Sequence, residues 1–475
     1  MKKLVIIFTL IFALLSKSYS QEYFDRTFGK TQNEVGQKIL KENDSILVLF
    51  GWGAEYSFYF VKCNLKGDTI LTKTYDFNYY NSGIDIVQLP DNKYILVGEN
   101  GGIMKINNNG EIDWIKHNSD YSFSSGTLYN DTSFLLTGSK LAFSHIDTIP
   151  DGGIDSVFYS DIVMKQISFN GELINELIFN FADYDFENGN DIIKTSNDDI
   201  VITGYSYNDG MPNLFLVRVD SELNTLIDTV YSYEGIYVGN EVLENTSNQL
   251  IITGDKYDLI KSRKDILVSK IDNLGNILWE RQINLWEDSE ELYCSGTGQS
   301  IIETGSGYIY VFGNLSDGTN GAEQIRDLFF IKMNNTGDTL YTKVLDNPGN
   351  KMSGSLIEIN ENKFAMIGAT DYLTNGGYDM YLILSDSLGN FKATTGIYDR
   401  EIQVSNFIYP NPASDYLNIE LENIQSIEII DLQGRLQKRI IGNQNKLWIG
   451  DIPVGMYFIQ VKTEKKILSK KIIIK

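Results

Sequence analysis

The sequence predicts an all-β protein: a seven-bladed β-propeller of four-stranded sheets, followed by a small Ig-like β-sandwich. Three observations predict it. Short β-branched and aromatic runs return seven times at intervals of about fifty residues, each copy carries a glycine at the same place, and the composition changes after residue 400.

The sixth copy shows the unit most plainly. Residues 298–304 (GQSIIET) lead through a turn at Gly305–Gly307 into 308–313 (YIYVFG), and residues 327–334 (DLFFIKMN) lead through Asn335–Gly337 into 338–344 (DTLYTKV). Each run is bounded by Gly or Asn and reads as one of four antiparallel strands, a to d. Strand b ends in glycine at Gly51, Gly98, Gly138, Gly204, Gly254, Gly313 and Gly368. The c–d turn carries Gly67, Gly110, Gly171, Gly275, Gly337 and Gly389. In the fourth copy Leu223-Asn224 stands in that place, and Asn224 is expected to tolerate the left-handed conformation. One such sheet cannot bury both faces, so neighbouring sheets must supply the core between them. A row of separate small sandwiches would need a core from about fifty residues each, with two cysteines in the whole chain to help. Ring closure has two readings: the strand Tyr23–Phe28 completes the last blade, or it adds a fifth strand beside a d strand at Phe391–Ile397.

The chain divides as 1–20, 21–400 and 401–475. Met1-Lys2-Lys3 and the apolar stretch Leu4–Leu15 precede a polar segment with small residues at Ser18 and Ser20, which predicts a signal peptide cut between Ser20 and Gln21. Twelve apolar residues fall short of the ~20 that span a bilayer, and no later stretch is long enough to do so. Residues 21–400 carry 27 basic against 55 acidic residues, a net of −28, whereas 401–475 carry a net of +2. Such an acidic body repels phosphate backbones, so nucleic acid is not an expected partner. Cys63 and Cys294 form either one long-range disulfide or two unrelated thiols.

The repeat also predicts where function sits. The a–b and c–d turns fall on one face and are uniformly tight, while the b–c loops and d–a crossovers fall on the other and vary in length. The segment from Gly138 to Asp161 is the longest b–c excursion. Candidate contact residues on this face are Trp52, Tyr80, His145, Asp147, Asp151, Asp155 and Trp286, with Tyr79, Tyr184, Tyr231, Tyr233 and the acids 287–291 beside them. Aromatic rings mixed with Asn, Asp and Glu suit a glycan or a protein ligand.

No metal or cofactor is expected. Asp183–Asp191 spaces acids like a calcium loop, but Asn188 stands where that loop needs glycine, so a structural crossover is the preferred reading over Ca²⁺. With two histidines, His117 and His145, a multi-histidine metal centre is excluded, and no nucleophile motif such as GxSxG or HExxH occurs. The favoured function is a non-catalytic binding module; a secreted hydrolase using a carboxylate pair on the variable face is the alternative.

The tail has its own string. Residues 407–419 (FIYPNPASDYLNI) are followed by strand-like runs at 426–431 and 436–441 around Gln433-Gly434-Arg435, then by 452–457 (IPVGMY) and a basic terminus at Lys475. Residues about 405–475 resemble the type A C-terminal sorting domain of the type IX secretion system of Bacteroidetes, through Tyr409, Pro410, Asn411, Pro412, Gly434, Arg435, Gly455, Tyr457 and Lys475. The resemblance implies engagement by the secretion machinery and a sortase-like protease, and a mature body at the outer-membrane surface or outside the cell.

Overall fold

The computed structural model describes residues 23–475 apart from 31, 78–79, 149–153, 182–185, 209–210, 232–235, 259–262, 286–294, 317–325, 346–347, 373, 375–376, 392–407, 422, 432–434 and 464–466, with the side chains of 143–148, 154–158, 208 and 467–469 also undescribed. The predicted signal segment and its cut at Ser20/Gln21 lie outside the described residues. The chain divides into two units, Met1–Thr394 and Thr395–Lys475. No helix among the described residues is long and apolar enough to cross a membrane.

The described residues of the first unit form seven four-stranded antiparallel sheets, two of them joined by one parallel bridge between Lys264 and Ser295. Sheet 1 is Val35–Asn43, Ile46–Trp52, Phe58–Asn64 and Thr69–Tyr75, in that spatial order. Strand b of this sheet is apolar without interruption, and the pleat divides it. Leu47 and Leu49 enter a core with Ala365 and Ile367 of sheet 7 (Lys351–Asn360, Lys363–Thr370 and Asp379–Asp386), while Val48 and Phe50 enter another with Ile86 and Leu96 of sheet 2 (Gly83–Gln88, Tyr94–Gly98, Gly102–Ile106 and Ile112–His117). The same division repeats through the other sheets, so every core lies between neighbours. Each Leu or Phe buried this way contributes about 1.5–3 kcal/mol, which a lone sheet could not collect.

Closure uses the N-terminal strand. Phe24–Phe28 pairs antiparallel with Asp379–Asp386 and takes the d position in a sheet whose other strands are Lys363–Thr370 and Lys351–Asn360. The Tyr381 hydroxyl donates to Asp25 Oδ2 at 2.6 Å across this seam. Apart from Phe391, which packs against the core between sheets 6 and 7, the alternative strand Phe391–Ile397 lies outside the described residues.

Strand b does not stop at its glycine in most sheets, running on past Gly204 to Asn208 and past Gly254 to Asp258, and the glycine itself has a local cause. Every strand a carries a bulge opposite it, as where Gly239 faces Gly254 and the register then slips to Glu241–Thr253. The bulge pushes a carbonyl towards strand b: a Cβ on Gly254 would lie 1.9 Å from the Val238 oxygen, and one on Gly51 1.9 Å from the Val35 oxygen.

Two further expectations are corrected. In the fourth c–d turn it is Leu223, with φ 67°, that adopts the left-handed conformation, because the turn is set by Asp220, which receives the Leu223 and Asn224 N–H groups. The Gly138–Asp161 excursion is no irregular loop. Strands b and c of sheet 3 simply run on, as Ser133–Thr148 and Ile154–Ser168, in a paired hairpin. The alternation in 141–148 (LAFSHIDT) was the signal for it.

The second unit is a two-sheet, Ig-like sandwich. One sheet holds Ile408–Tyr409, Tyr416–Ile419 and Lys446–Trp448; the other runs Leu436–Ile441, Ile424–Asp431, Gly455–Thr463, Ile467–Ile474. Leu417, Ile419, Leu447, Ile429, Ile459 and Ile472 meet between them.

Candidate functional site

Two places on the first unit gather side chains that the apolar repeat does not explain. One lies on the axis. The bulge in each strand a turns one or two polar side chains towards the centre, and there they line a cavity of ≈ 70 Å³. Lys38 Nζ lies 3.9 Å from Asp85 and 3.6 Å from Glu241. Burial works against the Lys38 charge, but Asp85, Glu241 and Asp191 outweigh it and hold the ammonium pKa above its ordinary value. Burial pushes the carboxyls of Asp191 and Glu241 up, against the pull of Lys38.

These groups stitch sheet to sheet. The bulge frees an N–H on the next strand a, and the polar residue before it captures that donor. Asp85 accepts from Gly126 N at 2.9 Å, Asp191 from Val242 N at 2.9 Å and Glu241 from Ile301 N at 2.6 Å. Ser300 and Ser355 do the same for Leu356 N and Ile39 N at 3.0 and 2.8 Å, the last bond crossing the ring seam. A second belt runs beside it, from Asn190 Nδ2 to the Gly239 carbonyl and from Asn240 Nδ2 to the Gly298 carbonyl. Ser125 Oγ lies 3.0 Å from Asp85 Oδ2 and 2.8 Å from Asp191 Oδ1. A hydroxyl has one proton to give, so the arrangement is satisfied with Ser125 donating to Asp85 and a proton on Asp191 donating back.

The other place is aromatic and exposed. Trp52 ends strand b of sheet 1, a single 3₁₀ turn follows at Ala54–Tyr56, and Tyr80 comes from the crossover into sheet 2. Trp52 and Tyr56 stack at 5.9 Å between centroids, and Tyr80 stands edge-on to Tyr56 at 5.1 Å. Tyr56 is 48% and Tyr80 69% exposed. Glu55 and Tyr56 both have left-handed backbones, φ 54° and 59°, a conformation that costs about 1–2 kcal/mol per residue outside glycine. The scaffold below is fixed: Asn81 N donates to the Tyr56 carbonyl and Asn100 Nδ2 to the Tyr80 carbonyl at 2.9 Å. Asn81 itself is fully buried against Gly98 and Gly102, where a Cβ would come within 2.1 and 1.5 Å of its amide.

Trp52 and Tyr80 are thus brought together, through Tyr56, which the sequence reading did not name. His145, Asp147 and Asp155 sit on the sheet 3 hairpin, with Asp147 registered opposite Asp155 and His145 opposite Val157. Asp151, Trp286, Tyr79, Tyr184, Tyr233 and residues 287–291 lie outside the described residues, as do Asp183, Asp185 and Cys294. Of the calcium-like segment, Glu187 accepts from Phe181 N and the Ser206 hydroxyl, and Asp191 belongs to the axis. Cys63 is a buried free thiol whose pKa burial pushes up to about 12. The axial acids Asp85 and Glu241 were also missed, and Asp191 was named only within the calcium-like segment; their signal was a polar residue two places after a strand-a glycine, at Lys38, Asp85, Asp191, Glu241 and Ser300.

In the second unit the proline string binds the last strand. Asn411 Nδ2 donates to the Lys471 carbonyl and its Oδ1 accepts from Ile473 N, both at 2.9 Å, while Lys475 N donates to the Ala413 carbonyl. Tyr409 donates to Glu420, Arg435 pairs with Asp431 at 2.7 Å, and the Tyr457 hydroxyl, two residues after Gly455, reaches the Pro453 carbonyl. Pro410 and Pro412 are exposed on either side of Asn411, and Gly434 lies outside the described residues.

Residues 407–475 match the family described as the secretion system C-terminal sorting domain, which makes this chain a type IX-secreted protein delivered outside the cell or to its surface. No curated protein matches the chain. Among solved structures it is similar to BamB from Moraxella catarrhalis (11% identity, 74% of this chain and 86% of that one, TM-score 0.41). It is also similar to YCF48 bound to D1 peptide (7%, 78% and 96%, 0.46) and to a protein of unknown function from Dyadobacter fermentans (10%, 77% and 99%, 0.43). These likenesses say nothing of what the chain binds.

Proposed function

We propose that this exported chain is a non-catalytic recognition module, and that the face carrying its b–c loops and crossovers holds a glycan or a protein ligand. The sorting domain acts in transit, through the secretion machinery and a sortase, and the propeller acts at the destination. The observation that carries the reading is the exposed Trp52–Tyr56–Tyr80 cluster, held on left-handed backbone by hydrogen bonds from beneath. Large rings fixed in advance lose little entropy on binding, which is what a contact surface requires.

The alternative, a secreted hydrolase, needs a carboxylate pair free to act on substrate. Among the described residues Asp85 and Asp191 form a pair across Ser125, and each carboxylate already accepts a backbone N–H. Their geometry favours a structural task.

Glycan and protein arrays probed with the full chain, with and without calcium, test the reading. Binding that is independent of calcium and lost in Tyr80→Ala is expected. Silence on both arrays, with hydrolysis of a polymeric substrate that Asp85→Asn abolishes, would replace binding by catalysis. For export, deletion of 405–475 is expected to leave the protein in the periplasm; its normal arrival at the surface would refute the role of the tail.

A further inference from the structure

Rings elsewhere in this protein carry the chain's own cations on their faces. Lys62 sits over Tyr94 at 4.9 Å, Lys165 over Tyr121 at 3.5 Å, Lys256 over Tyr237 at 4.7 Å and Lys332 over Tyr308 at 4.0 Å. Among the described residues no lysine or arginine lies over Trp52, Tyr56 or Tyr80. The segments that build this cluster, residues 51–57 and 76–83, and the 98–101 hairpin that holds Tyr80 contain no basic residue at all, but they do contain Glu55, Asp76 and Glu99, all exposed. Beyond them stands a body of net charge −28.

Resting on the recognition reading above, we propose that the Trp52–Tyr56–Tyr80 cluster is a receptor for a cationic side chain, arginine or lysine, of a partner polypeptide. A ring face attracts a cation through its quadrupole, most strongly over Trp and Tyr, and nearby carboxylates add directional hydrogen bonds to a guanidinium. The partner supplies here what Lys332 supplies to Tyr308 within the chain. The acidic body draws the basic segment in from a distance, and the rings decide where its side chain rests. A neutral sugar would use the rings but gain nothing from Glu55, Glu99 or the body charge.

The test is binding of labelled hexa-arginine to the full chain by fluorescence anisotropy. The wild type is expected to bind, with Tyr56→Ala and Tyr80→Ala each weaker by on the order of fivefold. Tyr308→Ala, whose ring is already covered by Lys332, is expected to bind like the wild type. Tyr56→Gly removes the ring while relieving its positive φ, so a loss of binding there together with unchanged or raised thermal stability separates recognition from folding. Absence of hexa-arginine binding overturns the proposal. So does binding that all three tyrosine-to-alanine variants retain, which reports charge attraction alone, and so does displacement of the label by cellohexaose, which makes the cluster a sugar platform. If hexa-arginine is silent while the arrays still report a ligand lost in Tyr80→Ala, the recognition reading stands and only the ligand class falls.

Discussion

The axis of the propeller and the aromatic cluster on its loop face both depart from the apolar repeat, and the chain treats them in opposite ways. At the axis each of the three carboxyl groups accepts an N–H from the next sheet, and Lys38 places one positive charge between Asp85 and Glu241. On the loop face the Tyr56 and Tyr80 rings are left to solvent, with no cation over them among the described residues, and the backbone under Glu55 and Tyr56 is strained. A buried polar group that is fully bonded holds structure together, whereas an exposed group kept at a cost in strain is available to a partner. Polarity at the centre therefore has a structural task that the exposed rings lack.

The comparison can be broken most readily at Asp191. Asp191→Ala leaves Val242 N–H buried without its acceptor and takes a hydrogen-bond partner from Ser125, and the expected loss is about 3 kcal/mol in urea unfolding. A loss near zero would mean that the axial belt does not hold the ring. Gly254→Ala drives a Cβ into the Val238 carbonyl, with an expected loss of about 1–3 kcal/mol by the same measurement. Tolerance of that change would show the bulge to be an accident of the register.

A pH series sharpens the assignment of the axial proton. Burial raises the folded pKa of Asp191 above its unfolded value, so the fold binds a proton that the unfolded chain has released. Stability from this source is complete below the ordinary aspartate pKa of about 4 and is lost as pH rises through the raised value. The stability difference between wild type and Asp191→Asn is therefore expected to be largest in acid and to shrink towards neutrality. A difference that grows with pH would identify Asp191 as an anion throughout. The smallest effect belongs to the loop face: Tyr56→Gly is expected to change stability by no more than about +1 kcal/mol, by thermal unfolding, since it removes an exposed ring and a left-handed strain together. A loss of several kcal/mol would show that Tyr56 is part of the core after all.

The repeat was legible because its constraints are local. The strand-b glycines face a bulge in the adjoining strand, and the c–d turn glycines answer to a positive φ, so both leave a mark at a constant spacing. The hairpin at 141–148 was misread as a loop because its length drew attention away from its alternation. Tyr56 was passed over because nothing in GWGAEYS announces that a 3₁₀ turn will fold its ring back onto Trp52 and beneath Tyr80.

Sequence alone determined that the chain is all-β, that its body repeats seven times, that an acidic body is followed by a basic-ended sorting tail, and that one face collects the variation. Those properties follow from periods of two and of about fifty residues and from charge, each readable along one dimension. Tertiary structure decided how the ring closes, that Lys38, Asp85, Ser125, Asp191 and Glu241 share one axial cavity, and that three rings from two segments form one surface. Residues as far apart in sequence as Asp25 and Tyr381, on neighbouring strands of the closing sheet, meet only after the seven interfaces have packed. No spacing in the chain encodes that meeting, because it depends on the angle between sheets.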